Sequence, residues 1–136
     1  MKKIKLITGL CGVLLLSACT AMSSFMPPTF DNVEYSHVIT LDQQVQQVAA
    51  NTCSIPSKVQ PAFVEIGNKI QYLQEYTKSL TREQNTHKIF ALMNSQFQQL
   101  QQNYALSPSS LYCKGKMIIF HIELQRVITT MAKETH

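Results

Sequence analysis

Residues 57–80 read SKVQPAFVEIGNKIQYLQEYTKSL, and the placing of their apolar side chains decides the fold. Val59, Phe63, Ile66, Ile70, Leu73, Thr77 and Leu80 follow one another at alternating steps of four and three. That spacing returns every one of them to a single face of an α-helix, whereas on a strand it would scatter them over both faces. The start of the segment is marked as well. Ser57 is placed as an N-cap with Gln60 three residues on, a capping box, and Pro61 falls in the first turn, where its missing N–H costs little. Just upstream, Pro56 forces Ile55 away from the α region and closes whatever helix precedes it.

The same grammar extends in both directions. Upstream, Asp31 and Glu34 form a capping box, Phe30 and Tyr35 a hydrophobic staple, and Val38, Leu41, Val45, Val48 and Thr52 an apolar stripe, which predicts a helix over 32–53. Downstream, Thr81 and Gln84 open a third helix with Glu83 near its positive end. Its stripe is Phe90, Met93, Phe97, Leu100 and Tyr104, widened by Ile89 and Leu92. Ser107 and Pro108 restart the pattern as N-cap and N1, and Cys113, Met117, Phe120, Leu124, Val127 and Met131 hold the register of a fourth helix. The run 117–122 is rich enough in β-branched and aromatic residues to suit a buried strand, but the sustained three-four spacing and the lack of a partner strand favour helix. Four amphipathic segments of similar length joined by short turns predict an all-α, antiparallel up-down-up-down four-helix bundle over 31–136.

The chain opens differently. Lys2, Lys3 and Lys5 precede an apolar run from Ile4 to Leu16, which is the pattern of a secretory signal and too short to cross a bilayer as a permanent helix. Leu16, Ser17, Ala18 and Cys19 resemble the lipobox of bacterial lipoprotein precursors, position by position. The resemblance implies a signal peptide over 1–18, cleavage before Cys19, and a diacylglycerol and an amide-linked acyl chain on that cysteine. Thr20 stands where an aspartate would retain such a protein at the inner membrane. The implied address is therefore the periplasmic face of the outer membrane, with the acyl chains buried among membrane lipids at about 0.8 kcal/mol per CH₂. Residues 19–30 form the lipidated tether, small-residue-rich and broken by Pro27 and Pro28, able to span roughly 30 Å when extended.

Removing the signal changes the charge balance. Of 12 basic side chains, Lys2, Lys3 and Lys5 lie in it, so the mature chain sets nine against 8 acidic ones. A near-neutral chain without a single-sign patch gives no support to nucleic-acid binding. Cys11 leaves with the signal and Cys19 carries lipid, which leaves Cys53 and Cys113 in an oxidising compartment, where they read as one disulfide. Two buried thiols, an intermolecular bridge and half of a metal site are the rival readings; no C-x-x-C or neighbouring histidine pair supports the last. In an up-down bundle, the end of the first helix and the start of the fourth meet at one end, and the two cysteines occupy those places.

Catalytic motifs are missing. There is no nucleophile elbow and no glycine-rich phosphate loop. Glu83 and His87 fall four apart on one helical face, a single near-miss to a di-iron pattern that needs two Glu-x-x-His pairs, while His121 and Glu123 diverge around their helix. No metal or cofactor is expected, and an unrecognised enzyme ranks third among the functional readings. Glutamine stands out instead, at Gln43, Gln44, Gln46 and Gln47 and again at Gln98, Gln99, Gln101 and Gln102. These are good helix formers on a solvated face, and a neutral amide face can also meet a partner at less desolvation cost than charge. Tyr72 and Tyr76, one turn apart, could anchor such a contact, so Tyr72, Tyr76, Gln98 and Gln102 are the expected partner face.

The segment from Phe30 to Tyr35, the Arg82–Glu83 turn and the two widely spaced cysteines are similar to small lipoproteins of unassigned role in phage and prophage genomes. That resemblance implies a protein altering receptor access, superinfection or lysis. The leading expectation is an envelope interaction or adaptor protein with a protein partner, resembling in plan the pilotins that escort secretins. The alternative is an exclusion or inhibitor lipoprotein that blocks a receptor or a muralytic enzyme.

Overall fold

The computed structural model describes residues 31–80 and 84–133. The expected signal over 1–18, Cys19 and the expected tether over 19–30 lie outside them, as do Phe30 of the expected staple and Thr81, Arg82 and Glu83 of the expected third helix start. The described chain is an antiparallel four-helix bundle: α1 (Asn32–Gln47) running into a π-helical turn (Val48–Thr52), α2 (Pro56–Ser79), α3 (Gln84–Leu106) and α4 (Ser110–Lys133). The run 117–122 is helical.

Helix α1 starts at Asp31, whose extended backbone turns its carboxylate to accept from the N–H groups of Val33 (2.8 Å) and Glu34 (3.0 Å). The starts of α2 and α4 differ from the sequence reading. Ser57 does not cap α2; Ile55 is the N-cap, at φ −118° and ψ 90°, and Pro56 is the first helical residue. Proline at that position loses only an N–H that has no intrahelical partner, and it holds Ile55 extended. Pro61 therefore sits two residues deeper than expected, in the helix interior, where the carbonyl of Ser57 loses its usual donor. Both residues are exposed, so water can replace it. Helix α4 begins two residues later than expected, because Ser109 rather than Ser107 supplies the cap: its hydroxyl accepts from the N–H of Tyr112 at 3.2 Å.

The core is formed by the stripes. Val38, Leu41 and Val45 of α1, Val59 to Leu73 of α2, Phe90 to Tyr104 of α3 and Cys113 to Leu124 of α4 converge in one cluster. Thr77 joins it by donating its hydroxyl back to the carbonyl of Leu73 at 2.8 Å, which removes the cost of burying it. Edge-on aromatic contacts lock three helices together, with Phe63 against Phe97 and Tyr104, and Phe97 against Phe120 at 5.3 Å between centroids. Leu92 does not widen the α3 stripe: it is 61% exposed, whereas Ile89 is half-buried.

At the end of α1 the stripe is displaced. The N–H of Cys53 bonds to the carbonyl of Val48 at 3.0 Å, a five-residue step, so one extra residue is accommodated in the last turn. A regular helix would have put Thr52 on the inner face and Cys53 beside it. The wide turn instead carries Cys53 inward, to 2% exposure, and leaves Thr52 half-buried. There Cys53 is bonded to Cys113, with their Cα atoms 5.6 Å apart. The bridge joins residues separated by 60 positions, and chain-entropy reasoning gives it about 4 kcal/mol. Replacing both cysteines with alanine is expected to lower the unfolding free energy by that order in urea titration; a loss under about 1 kcal/mol would show that the core alone holds these ends together.

Candidate functional site

The four seams of the bundle are unequal. Helices α2 and α3 lie along each other, as do α1 and α4, but α3 and α4 touch sparsely although they are consecutive in sequence. The reason is written on the facing flanks. Gln96, Gln99 and Asn103 project from α3 at steps of three and four, and Lys116 and Glu123 from α4. Such groups lose hydration on closing and have no partners there to compensate. The helices therefore stay apart over a cleft of about 330 Å³ whose floor is the buried Leu100 and Phe120. Tyr112 closes one end, with the Lys116 ammonium 5.7 Å from its ring centroid. An apolar floor with amide walls, an aromatic ring and one charge of each sign can hold a polypeptide or another polar ligand; it holds no cluster suited to a metal. Among the described residues no three histidine, cysteine or acidic side chains come together in that way.

The expected partner face is distributed over two places. Tyr72, 47% exposed, stacks on Tyr76 with centroids 6.0 Å apart and lies 4.9 Å from the ring of His37. The Tyr76 hydroxyl donates to the Asp31 carboxylate at 3.1 Å, so this tyrosine ties α2 to the cap of α1. Gln98 and Gln102 are exposed on α3 and belong neither to the tyrosine pair nor to the cleft lining. Other glutamines are engaged in the fold, Gln44 donating to Glu65 at 2.7 Å and Gln46 to Asp42 at 2.8 Å. His87 bonds through Nδ1 to the carbonyl of Gln74 at 2.9 Å; its expected companion Glu83 lies outside the described residues.

One cluster escaped the sequence reading. Asp42 is buried at 3% exposure between α1 and α4, where its carboxylate accepts from His121 Nδ1 (2.7 Å), Gln125 Nε2 (2.7 Å) and Gln46 Nε2 (2.8 Å). All three donors stand on helix faces that meet there, Gln46 one turn after Asp42 and Gln125 one turn after His121. A carboxylate orienting an imidazole is half of a general-base arrangement. The other half is not assembled. His121 borders two shallow grooves; the hydroxyls lining one of them, Thr129 and Thr130, lie at least eight residues further along α4, roughly 12 Å away, and none lines the other. What the cluster does in the fold is clamp α1 to α4 with charge-assisted bonds midway along their seam. The signal was a polar residue adjoining the stripe at Leu41 and, opposite, a His and a Gln spaced by four.

Comparison with protein-family models, with curated proteins and with solved structures gave no match for this chain. The clamp is open to direct measurement. In a double-mutant cycle of Asp42→Ala and His121→Ala, each single change should cost about 1–2 kcal/mol, since the exposed Gln46 and Gln125 turn to water once Asp42 is gone, and the coupling between the two should be on the order of 1 kcal/mol, moderated because His121 is about one-third exposed. Additive losses would show that the pair is not an energetic unit.

Proposed function

We propose that this chain is a lipid-anchored interaction protein of the bacterial envelope, held at the periplasmic face of the outer membrane through acyl chains on Cys19, and that a protein partner docks in the α3–α4 cleft. The observation that carries the reading is the cleft itself. A small domain ordinarily closes its helices over the core; here a seam is held open by side chains that suit recognition better than packing. The amides of Gln96, Gln99 and Asn103 each offer a donor and an acceptor, and none brings a charge that must be desolvated. Leu100 and Phe120 supply an apolar floor, and Tyr112 an amphipathic anchor of the kind enriched at binding hot spots.

The anchor rests on the lipobox resemblance and on the signal-like lead before it. Among the described residues no helix is long and apolar enough to cross a membrane, so in this reading attachment depends on Cys19. A tether of roughly 30 Å lets the bundle sample its surroundings while remaining on the surface, which raises the effective concentration of a membrane-held partner.

The test is affinity capture from crosslinked envelopes with three forms of the full chain: wild type, Cys19→Ser and the double variant Gln99→Arg/Asn103→Arg, which fills the cleft from exposed positions. Wild type should incorporate acyl label and recover one stoichiometric partner. Cys19→Ser should lose the label, and the cleft variant should keep the label and lose the partner. Acyl label on Cys19→Ser would remove the anchor, and undiminished partner recovery by the cleft variant would remove the cleft. If the partner proves to be a surface receptor or a muralytic enzyme, the docking is inhibitory.

A further inference from the structure

Helix α4 is apolar on two sides. Its inner stripe of Cys113, Met117, Phe120 and Leu124 fills the core, yet Leu111, Ile118, Ile119 and Ile122 stand outward at 83, 45, 49 and 46% exposure. Exposed Val33, Val64 and Leu92 fall singly on the other three helices, as surface apolar residues usually do. The four on α4 form one ridge about 17 Å long. Gly115 lies on the same side, between Leu111 and Ile118. No packing within the chain requires a glycine there, since a Cβ would meet nothing within 4 Å.

The charges around the ridge have one sign. Lys114 stands on its α1-facing flank, and Arg126 and Lys133 follow Ile122 along the outer side, one and three turns on; all three are exposed. Glu123, the only carboxylate among the described residues of α4, is half-buried and lines the cleft together with Lys116, so those two charges offset each other away from the ridge. The helices on either side add no exposed acid. The two carboxylates within α1, Glu34 and Asp42, are buried, and α3 over its described length has none. The exposed carboxylates, Glu65 and Glu75, both stand on α2, diagonally across the bundle from α4. No described carboxylate lies within ion-pair distance of Lys114, Arg126 or Lys133. The bundle is thus polarised, with a cationic, apolar side and its exposed acids on the opposite one.

We propose that the outer side of α4 lies on an anionic phospholipid bilayer, with Leu111 and the three isoleucines dipping below the headgroups and Lys114, Arg126 and Lys133 among the phosphates. The charge argues for this occupant. Three unpaired cations spread over about 28 Å of helix call for anions at no fixed spacing, which mobile headgroups supply and a folded partner would have to place one by one. A second copy would bring the same cations and no exposed acid to meet them. Apolar residues bordered by lysine and arginine on the surface of a helix are the arrangement that settles into an interface, the long stems lying along the apolar ridge while their charges stay at the headgroups. At Gly115 no side chain holds the helix off the surface, so Leu111 and Ile118 enter further. The polarity along the ridge sets a tilt: its apolar half points toward the α3–α4 turn and its basic half toward the end of α4. Because the bridge joins the end of α1 to the start of α4, that basic end lies beside Asp31, where α1 begins. An anchor at Cys19 and a tether of roughly 30 Å would keep this side within reach of the same bilayer, but the charge and the ridge stand without it.

The experiment is sedimentation of the full chain carrying Cys19→Ser, which removes any contribution of an acyl anchor, with vesicles of phosphatidylglycerol or of phosphatidylcholine. The chain should bind phosphatidylglycerol, bind phosphatidylcholine far less, and be released as salt is raised. Lys114→Gln and Arg126→Gln should each weaken binding about five-fold. Ile122→Glu should abolish it, while Leu92→Glu, an equally exposed apolar position on α3, should leave it unchanged; both replace exposed side chains, and unchanged melting of each variant checks the fold. A fluorophore on Ile118→Cys should be quenched by a lipid-borne quencher, and one on Val64→Cys of α2 should not. Absence of binding to phosphatidylglycerol, equal binding to the two lipids, or equal losses from Ile122→Glu and Leu92→Glu would overturn the proposal. So would a chain that ignores vesicles but forms a dimer that Ile122→Glu dissociates, which would assign the ridge to a second copy. None of these readouts involves acylation or the cleft partner, so this proposal and the preceding one can fail separately.

Discussion

The covalent link between Cys53 and Cys113 makes the first and last helices neighbours, and the remaining architecture follows from that closure. A chain of four helices can lie open as two hairpins; joining the end of α1 to the start of α4 closes it into a ring of four seams. The link depends on a local irregularity. Without the wide turn over Val48–Thr52 the sulfur of Cys53 would point along the flank of α1, and the bridge could form only by rotating the whole helix and taking Val38, Leu41 and Val45 out of the core. One residue of π-helix at the end is a smaller distortion than a misregistered stripe throughout.

Closure by a bridge at one end leaves the middle of the α1–α4 seam to be aligned by something else, and Asp42 provides it. A buried carboxylate is costly unless its lone pairs are filled, and it is fully served only when His121, Gln125 and Gln46 are in place together. Sliding α4 by one turn against α1 would break two of those three bonds. Apolar contacts between Leu41, Val45, Met117 and Leu124 would tolerate such a shift far better, so the polar cluster supplies the specificity that the stripe lacks. Bridge and clamp together fix α4, and α2 and α3 fix each other through Phe63, Phe97 and Tyr104. The seam between α3 and α4 is where neither device acts, and there the cleft opens.

This division explains what could be read from the sequence. Burial periodicity is set by helix geometry, so the core positions from Val38 to Met131 were legible from spacing alone, as was the pairing of the two cysteines once the helices were placed. Helix starts were less legible, because several residues compete for one cap. Ser57 and Ser107 have the right side chains, but a proline beside each shifts the first helical residue, and Ile55 and Ser109 take the role. Thr52 lay on the stripe by arithmetic and off it in the structure because the arithmetic assumes a constant turn. Leu92 failed for a different reason: its angular position borders α3's outer side, and apolar character does not by itself earn burial. The cleft and the clamp were hidden because each is a property of two helices. Gln96, Gln99 and Asn103 share a face that single-helix reading records as solvated, and Asp42 reads as surface until His121 is seen opposite.

The distribution of polarity over α4 links these features. On its α1-facing flank, polar groups are matched and the seam closes; on its α3-facing flank, polar groups are unmatched and the seam opens; on its outer side, apolar groups are unmatched and face solvent. A helix buried on one face needs only one apolar stripe, so the exposed parts of Ile118, Ile119 and Ile122, nearly half of each residue, add nothing to the stability of the isolated bundle and increase its tendency to associate. Retaining three isoleucines there while keeping a glycine that forfeits helix propensity makes sense if the outer side is an interface, since both features cost something in solution and both contribute once a second surface is present. By that reasoning the α3–α4 cleft and the α4 ridge are adjacent parts of one binding region, sharing Ile119 as the residue that borders both.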